Sequence, residues 1–354
     1  MTETEKASRS ILSARRRPFW LAGGVLLLSF IMSVAIGPIN IPPLDVLNIF
    51  VSRILVSVSA SGWPETFETI LLQVRLPNAV LVTLTGMALA GSGAAYQGLF
   101  RNPLADPYVI GVASGAGLGA VLAMAFRWPE TLVGMLAIPI AAFTGALITV
   151  AIVYAIARVG RSTPVTTLIL AGVAVSSFAT AMMTMIMILS RAEIHRAVNW
   201  LVGGFSLGGW GPVIAAIPYL IPGLGTLWVL GRQLNVLQFG DDQARQMGLD
   251  VERAKIVIIV AASLVAATAV AFSGIIAFVG LIVPHFARIL WGSDYRRLLP
   301  LATLFGGSFL LLADLVARTA LAPRQLPVGI ITALVGAPFF LWLLYRSKGS
   351  IQAW

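Results

Sequence analysis

The stretch GDDQARQMGLDVERAK, residues 240–255, carries seven charges in sixteen residues and four of the chain's fourteen acids, between two apolar runs. Asp241 to Arg245 and Asp242 to Gln246 have the i,i+4 spacing of neighbours on one helix face. Gly248 can end that helix, and 250–255 starts another. Two short helices with a glycine joint form a compact surface knob. A solvated connector need be only a few residues long, and this one spans about twenty, so it reads as a docking element for a soluble partner. RNPLADP, residues 101–107, is a second short polar connection. Pro103 and Pro107 stop the helix, and Asn102 and Asp106 can cap orphan backbone groups. Asp314 and Arg318 sit at i,i+4. They suit either a local ion pair that lowers the cost of charge near a membrane or an Arg318 that faces outward to a partner. Arg75 is similarly placed, and two arginines on one mouth would suit an acidic docking protein.

Other chemistries find no residues to carry them. His195 and His285 are isolated, and there is no HExxH, no GxxxxGK[ST] phosphate loop and no GxSxG elbow. With no cysteine there is no disulfide framework, thiolate metal site or cysteine nucleophile. No catalytic and no metal-ligating set is expected. A membrane enzyme would show clustered polar groups in its spans. A channel or secondary transporter acting alone would need buried carboxylates for a coupling ion, and the spans offer only Asp314.

The elements that position these residues follow from composition. The chain has 354 residues, 58% hydrophobic and 11% charged, with mean hydropathy +0.92. A soluble domain carries about 25% charged residues, so this is a polytopic membrane protein. The net charge of +10 could suggest nucleic acid, but excess Lys and Arg in a membrane protein mark cytoplasmic loops; no nucleic acid partner is expected. The hydropathy predicts an all-α fold of ten helices at about 19–36, 72–96, 109–126, 134–158, 165–189, 213–231, 255–275, 276–291, 298–317 and 328–346. The boundary near 275 rests on irregular backbone at Ser273-Gly274 and Pro284. The first run follows Arg15–Arg17 without a clear cleavage site and reads as an uncleaved span.

Even parity puts both termini on one side. With the N-terminus inside, the inner segments hold 17 of the 24 Lys and Arg, Arg161 and Lys348 among them, so both termini are expected in the cytoplasm, and 240–255 with them. Residues 38–71 form the longest outer connection, read as loop with short helices from Pro42-Pro43 and the Ser59–Pro64 punctuation. Small residues crowd 86–98 and 111–120, where they let membrane helices approach closely. Residues 92–103 and 273–284 look faintly alike in spans of opposite direction, as an inverted repeat would.

Longer segments carry a family likeness: RLPNAVLVTLTGMALAGSGAAYQGLFRNPLADPYVIGVASGA (75–116), LILAGVAV (168–175), GDDQARQMGL (240–249), GIIAFVGLIVPHFARIL (274–290) and LLPLATLFGGSFLLLADLVARTALAPRQLPVGIITALVGAPFFLWLL (298–344). In these the chain resembles the BtuC/FecCD permeases, the membrane subunits of bacterial ABC importers for iron–siderophores, haem and cobalamin. The resemblance implies one transmembrane permease domain over 1–354, with a cytoplasmic tail at 1–18 and a coupling-helix loop at 232–254. It implies a bacterial cytoplasmic membrane, a homodimer or close heterodimer, two ATPase subunits that bind ATP and Mg, an extracytoplasmic binding protein, and no cofactor in this chain. By position, Gly240, Asp241, Asp242, Ala244, Arg245, Gln246, Met247, Gly248 and Leu249 match the ATPase-coupling motif. Arg75 and Arg318 match residues that meet glutamates of the binding protein. A third such arginine would fall at Asn78, and Arg324 is the candidate to replace it. Asn102 and Leu104 match one cytoplasmic gate and Thr166 the other, with Val165 where a second hydroxyl can stand. Met182, Met183 and Met185 of the fifth helix are expected to line the pathway as a flexible thioether wall. Most relatives carry ferric siderophores, which makes that the expected cargo. NWLVGGFSLGGW (199–210) resembles the corrinoid branch, and haem is the other alternative.

Overall fold

The computed structural model describes residues 3–54, 63–126, 132–160, 162–190, 194–205 and 208–347. These residues form an all-α structure. Helix α1 (Glu3–Ala35) is followed by α2 (Pro43–Ile54) and α3 (Glu65–Thr69). A π-helical turn, Ile70–Arg75, then runs into α4 (Leu76–Leu99). The remaining helices are α5 (Val112–Ala125), α6 (Leu132–Ala157), α7 (Val165–Leu189), α8 (Ile194–Leu201), α9 (Gly211–Val229), α10 (Gly231–Leu237), α11 (Asp241–Gln246), α12 (Val251–Ser273), α13 (Val279–Trp291), α14 (Tyr295–Thr319) and α15 (Val328–Ser347). The π turn sits just before Pro77, whose ring lacks an N–H and crowds the carbonyl four residues back, so the ladder widens there.

All ten sequence-predicted spans fall on apolar helices. Among the described residues, seven stretches are long and apolar enough to cross a membrane: Arg17–Ala35, Glu65–Leu99, Leu136–Ala157, Val165–Leu189, Gly211–Val229, Val251–Ser273 and Tyr295–Thr319. The other three, at Val112–Ala125, Val279–Trp291 and Val328–Leu343, are shorter. Two boundaries differ from expectation. The tail expected at 1–18 is helical from Glu3, as the start of α1. The break near 275 lies at 274–278, while Pro284 is accommodated inside α13. In the outer connection α2 and α3 supply the expected short helices; Ser59–Gly62, like Arg161 and Lys348 of the inner charge count, lies outside the described residues.

Burial ranks the helices. In the most apolar eighteen-residue window of each helix, 78% of residues are buried through α4 and 72% in α12 and α14, against 11% in α7. In lipid no hydrophobic force draws helices together, so close packing must do it, and small residues permit it. A Cβ on Gly86 would fall on the backbone carbonyl of Gly306, and one on Gly93 on the carbonyl of Gly280. These glycines set α4 directly against α14 and α13. Gly115 and Gly119 do the same for α5 against Gly145 and Ala141 of α6.

Irregular backbone inside a membrane survives only where protein satisfies its polar groups. The 274–278 break obeys this. Gly204 N donates to Ser273 O (2.7 Å) and Tyr108 Oη donates to Ile276 O (2.9 Å). Tyr108 belongs to the segment after α4, which turns back so that Pro107 packs on Gly280. The two segments alike in sequence, 92–103 and 273–284, therefore lie against each other. Gln97 adds to the seam by donating to Gly280 O (3.3 Å) and Leu281 O (3.2 Å).

Replacing Gly306 by Val should cost about 1–3 kcal/mol of stability through overpacking, seen as a lower unfolding temperature in detergent. Gly225→Ala, where nothing lies within 4 Å, should leave that temperature unchanged.

Candidate functional site: the coupling knob, the inner loops and the outer mouth

The charged stretch folds as expected at its end and differently at its start. Gly248 (φ +84°) closes α11. Its N–H donates to Arg245 O (2.9 Å) and Leu249 N–H donates to Ala244 O (3.0 Å), the paired bonds of a Schellman stop. The expected second short helix at 250–255 is instead the first turn of the long α12, capped by Asp250, whose carboxylate accepts from Arg253 N (3.1 Å). The two short helices are α10 and α11. They join at Gly240, whose φ of +98° and ψ of 159° suit glycine alone.

The charge pairing also differs. Arg245 bonds Asp242 (3.0 Å) and reaches Glu252 (3.4 Å), while Asp241 bonds Lys255 (2.5 Å). The i,i+4 rule places Asp241 beside Arg245, but a lysine with 3% exposure needs the carboxylate more than a half-exposed arginine does. Ala244 is fully buried and anchors α11. Asp242, Gln246 and Met247 face out, and Met247 (59% exposed) and Phe239 (60% exposed) are exposed apolar residues on either side of the Gly240 joint.

The knob touches both inner connections. Gln238 Nε2 donates to Gly98 O (2.8 Å) at the end of α4, and Arg101 Nη1 lies 3.3 Å from where a Cβ on Gly240 would stand. In the 101–107 turn, Asn102 Oδ1 accepts from Leu104 N and Asp106 Oδ1 from Tyr108 N, each at 2.9 Å, which is the capping expected of them. Asn102 is exposed and Leu104 half-buried. On the other side, Lys255 Nζ donates to Thr163 O (3.1 Å), and Thr163 N donates to Glu252 Oε2 (3.0 Å). Thr166, exposed, and Val165, half-buried, begin α7 just beyond. The structure thus gathers the charged stretch, the end of α4 and the turn before α7 at one end of the molecule. Sequence reasoning missed Lys255, Glu252, Thr163 and Gln238 as a group. A lysine in the first turn of an apolar span was the available signal.

Helix α7 carries an open groove of about 950 Å³, lined by Val173, Ser176, Ser177, Thr180, Thr184 and Met185 among others. Four serine and threonine hydroxyls stand among its lining residues. Of the three methionines only Met185 lines the groove. Met183 Sδ packs toward Gly117 of α5, and Met182 is half-buried away from the groove. Ser177 Oγ donates to Val173 O (2.9 Å) and Thr184 Oγ1 to Thr180 O (2.9 Å). The donors of these two hydroxyls are thereby engaged by their own helix.

At the opposite end, Arg75 and Arg318 are buried rather than outward-facing. Arg75 donates to Val34 O (3.2 Å), Ala35 O (2.9 Å) and Ile39 O. Arg318 donates to Ser33 O (3.2 Å) and Ser33 Oγ (2.9 Å), and bonds Asp314 (2.7 Å). Both arginines therefore satisfy the orphan carbonyls at the end of α1. Asn78 donates to Asp314 Oδ2 (3.5 Å). Arg324, in the turn before α15, is exposed. Among the described residues no group of three or more His, Cys, Asp or Glu could hold a metal.

The model of the FecCD transport family matches residues 25–346. The chain belongs to that family. It is 48% identical over 284 residues to the cobalamin import system permease protein BtuC of Halobacterium salinarum, covering 80% of this chain and 75% of that relative. It is 36% identical over 340 residues to the hemin transport system permease protein HmuU of Yersinia pestis, covering 95% and 98%. Among solved structures it resembles an inward-facing metal-chelate type ABC transporter, with a TM-score of 0.78, 30% identity and coverage of 92% and 98%. The chain is a multi-pass permease of the ABC importer class.

Asp294 caps α14 at the same end as the knob. Burial raises its carboxyl, but Asn235 Nδ2 (2.6 Å), Arg296 N (3.0 Å) and the charges of Arg296 and Arg297 outweigh that and hold it below the usual carboxylate range. A lowered folded value stabilises the fold above the unfolded pKa, about 3.9, and the contribution is lost as pH falls through the folded value. Asp294→Asn keeps a capping side chain but cannot titrate. The variant should lose less stability than the parent between pH 5 and 3, measured by unfolding in detergent.

Proposed function

We propose that this permease passes a metal chelate across a bacterial cytoplasmic membrane by alternating access. It would work as a dimer of permeases with two ATPase subunits beneath it and a binding protein above. The observation that carries the reading is the exposed α11 knob, packed against the segments that match the family's two gates, in a chain that belongs to the FecCD family. ATP and Mg belong to the partner ATPase on this reading, and its closure biases the permease between two accesses. The cytoplasmic placement of both termini follows from the basic inner segments. Asn102, Leu104 and Thr166 close the inner end, and the α7 groove forms the wall.

At the outer mouth, Arg324 is an exposed cation available to an acidic binding protein, while Arg75 and Arg318 hold the platform by fixing α1. Ferric siderophore is the cargo we propose. Cobalamin is the second reading, favoured by the 48% identity to a cobalamin permease, and haem follows from the hemin permease. Uptake of labelled ferric siderophore, cobalamin and haem by cells lacking the gene decides among them. Loss of one, restored by the gene, names the cargo, and loss of cobalamin uptake alone would overturn the siderophore assignment.

Two surface substitutions test the docking faces. Met247→Asp should reduce co-purification of the ATPase about tenfold or more, the scale of a lost interface anchor, with the permease still folded. Undiminished co-purification would remove the knob from the interface. Arg324→Glu should weaken capture of the binding protein, most visibly at low ionic strength, and equal capture at low and high salt would contradict its role.

A further inference from the structure

The gate segment before α7 hangs from the coupling segment by one buried cation. Lys255 Nζ bonds Asp241 of α11 (2.5 Å) and Thr163 O (3.1 Å), and lies 3.7 Å from Glu252 Oε1. Glu252 accepts from Thr163 N (3.0 Å). Both backbone polar groups of Thr163 are therefore held by the first turn of α12, and the same lysine is held by α11. The turn itself is tight. Val159 and Ser162 exchange backbone bonds at 2.9 and 3.1 Å, and Thr167 Oγ1 bonds both Ala157 O (3.0 Å) and Pro164 O (2.8 Å). Slack between Thr163 and the start of α7 is thus small.

Resting on the importer reading above, we propose that Lys255 and Glu252 are positioning residues for transport. They lock Thr163 to α11, so that displacement of the ATPase-facing helix is delivered to α7. A lysine at this depth carries a large desolvation cost unless its partners stay in place. The cluster therefore resists stretching, and α11 and the α7 terminus move together rather than independently. The connection from the knob to α4, through Gln238 to Gly98 O, is a neutral bond and yields more easily. The two inner connections are then driven unequally, with α7 the stiffer one.

The test uses the intact complex of permease with its ATPase. The chain has no cysteine, so one spin label at Leu170→Cys, on the exposed face of α7, reports the α7–α7 distance between the two permeases. In the parent, ATP should shift the distance distribution. Lys255→Met should keep ATPase co-purification and hydrolysis, because Lys255 is buried and off the docking surface, yet reduce the ATP-driven population shift roughly two- to thirtyfold. Lys255→Arg should restore part of it. A full shift in Lys255→Met would overturn the proposal. If that variant does not accumulate, Glu252→Gln, which keeps shape and an acceptor, should reduce the shift in the same direction, and an unaltered shift there overturns it equally. A parent that fails to co-purify with any ATPase would overturn the importer reading, and the clamp with it.

Discussion

A charge removed from water must be answered by partners that cannot drift away. In a membrane protein this constraint sets much of the architecture. A single charge at a helix centre costs about 3 kcal/mol on insertion scales, and the described buried cations are each held by several groups. Lys255 joins α11, α12 and the turn before α7. Arg75 and Arg318 join α4 and α14 to the end of α1. The half-buried Arg288 likewise joins α13 to Gln97 of α4 (3.0 Å) and to Tyr295 of α14 (3.1 Å). Each cation bonds groups on different helices, so each is also a joint. The charges that are hardest to bury fix how the apolar helices meet.

Between the joints, packing does what hydrophobicity cannot do in lipid. The Gly86–Gly306 and Gly93–Gly280 contacts bring backbones together around α4, giving a rigid centre of α4, α12 and α14. Helix α7 is the opposite case. Little of it is buried, and it presents a groove with self-satisfied hydroxyls. A closely packed centre thus stands beside a largely exposed helix, and the start of that helix follows the turn that the Lys255 cluster grips.

Much of this was legible in the sequence because it depends on local rules. Span number followed from hydropathy, the α11 stop from Gly248, the turn at 101–107 from Asn102 and Asp106, and the close approach at 86–98 from small residues. What was not legible depends on tertiary partners. Asp241 was assigned to Arg245 by spacing, yet Lys255 takes it because a buried cation outbids an exposed one. Asp314 and Arg318 form the local ion pair that their spacing allowed, but nothing local reveals that the end of α1 lies over Arg75 and Arg318. The methionines of α7 were read as one wall, but helical rotation places Met183 and Met185 on different faces. Thr163 and Gln238 carry no signature at all, because their roles are made by backbone atoms from distant segments.

The most direct measurement is a photo-cross-link from a single reactive group at Met247, formed in intact membranes and identified by mass spectrometry. The adduct is expected on an ABC ATPase, with yield changing as ATP is added. An adduct confined to lipid, or to another copy of this chain, with no nucleotide dependence would contradict the claim that the charged knob is where the importer is driven.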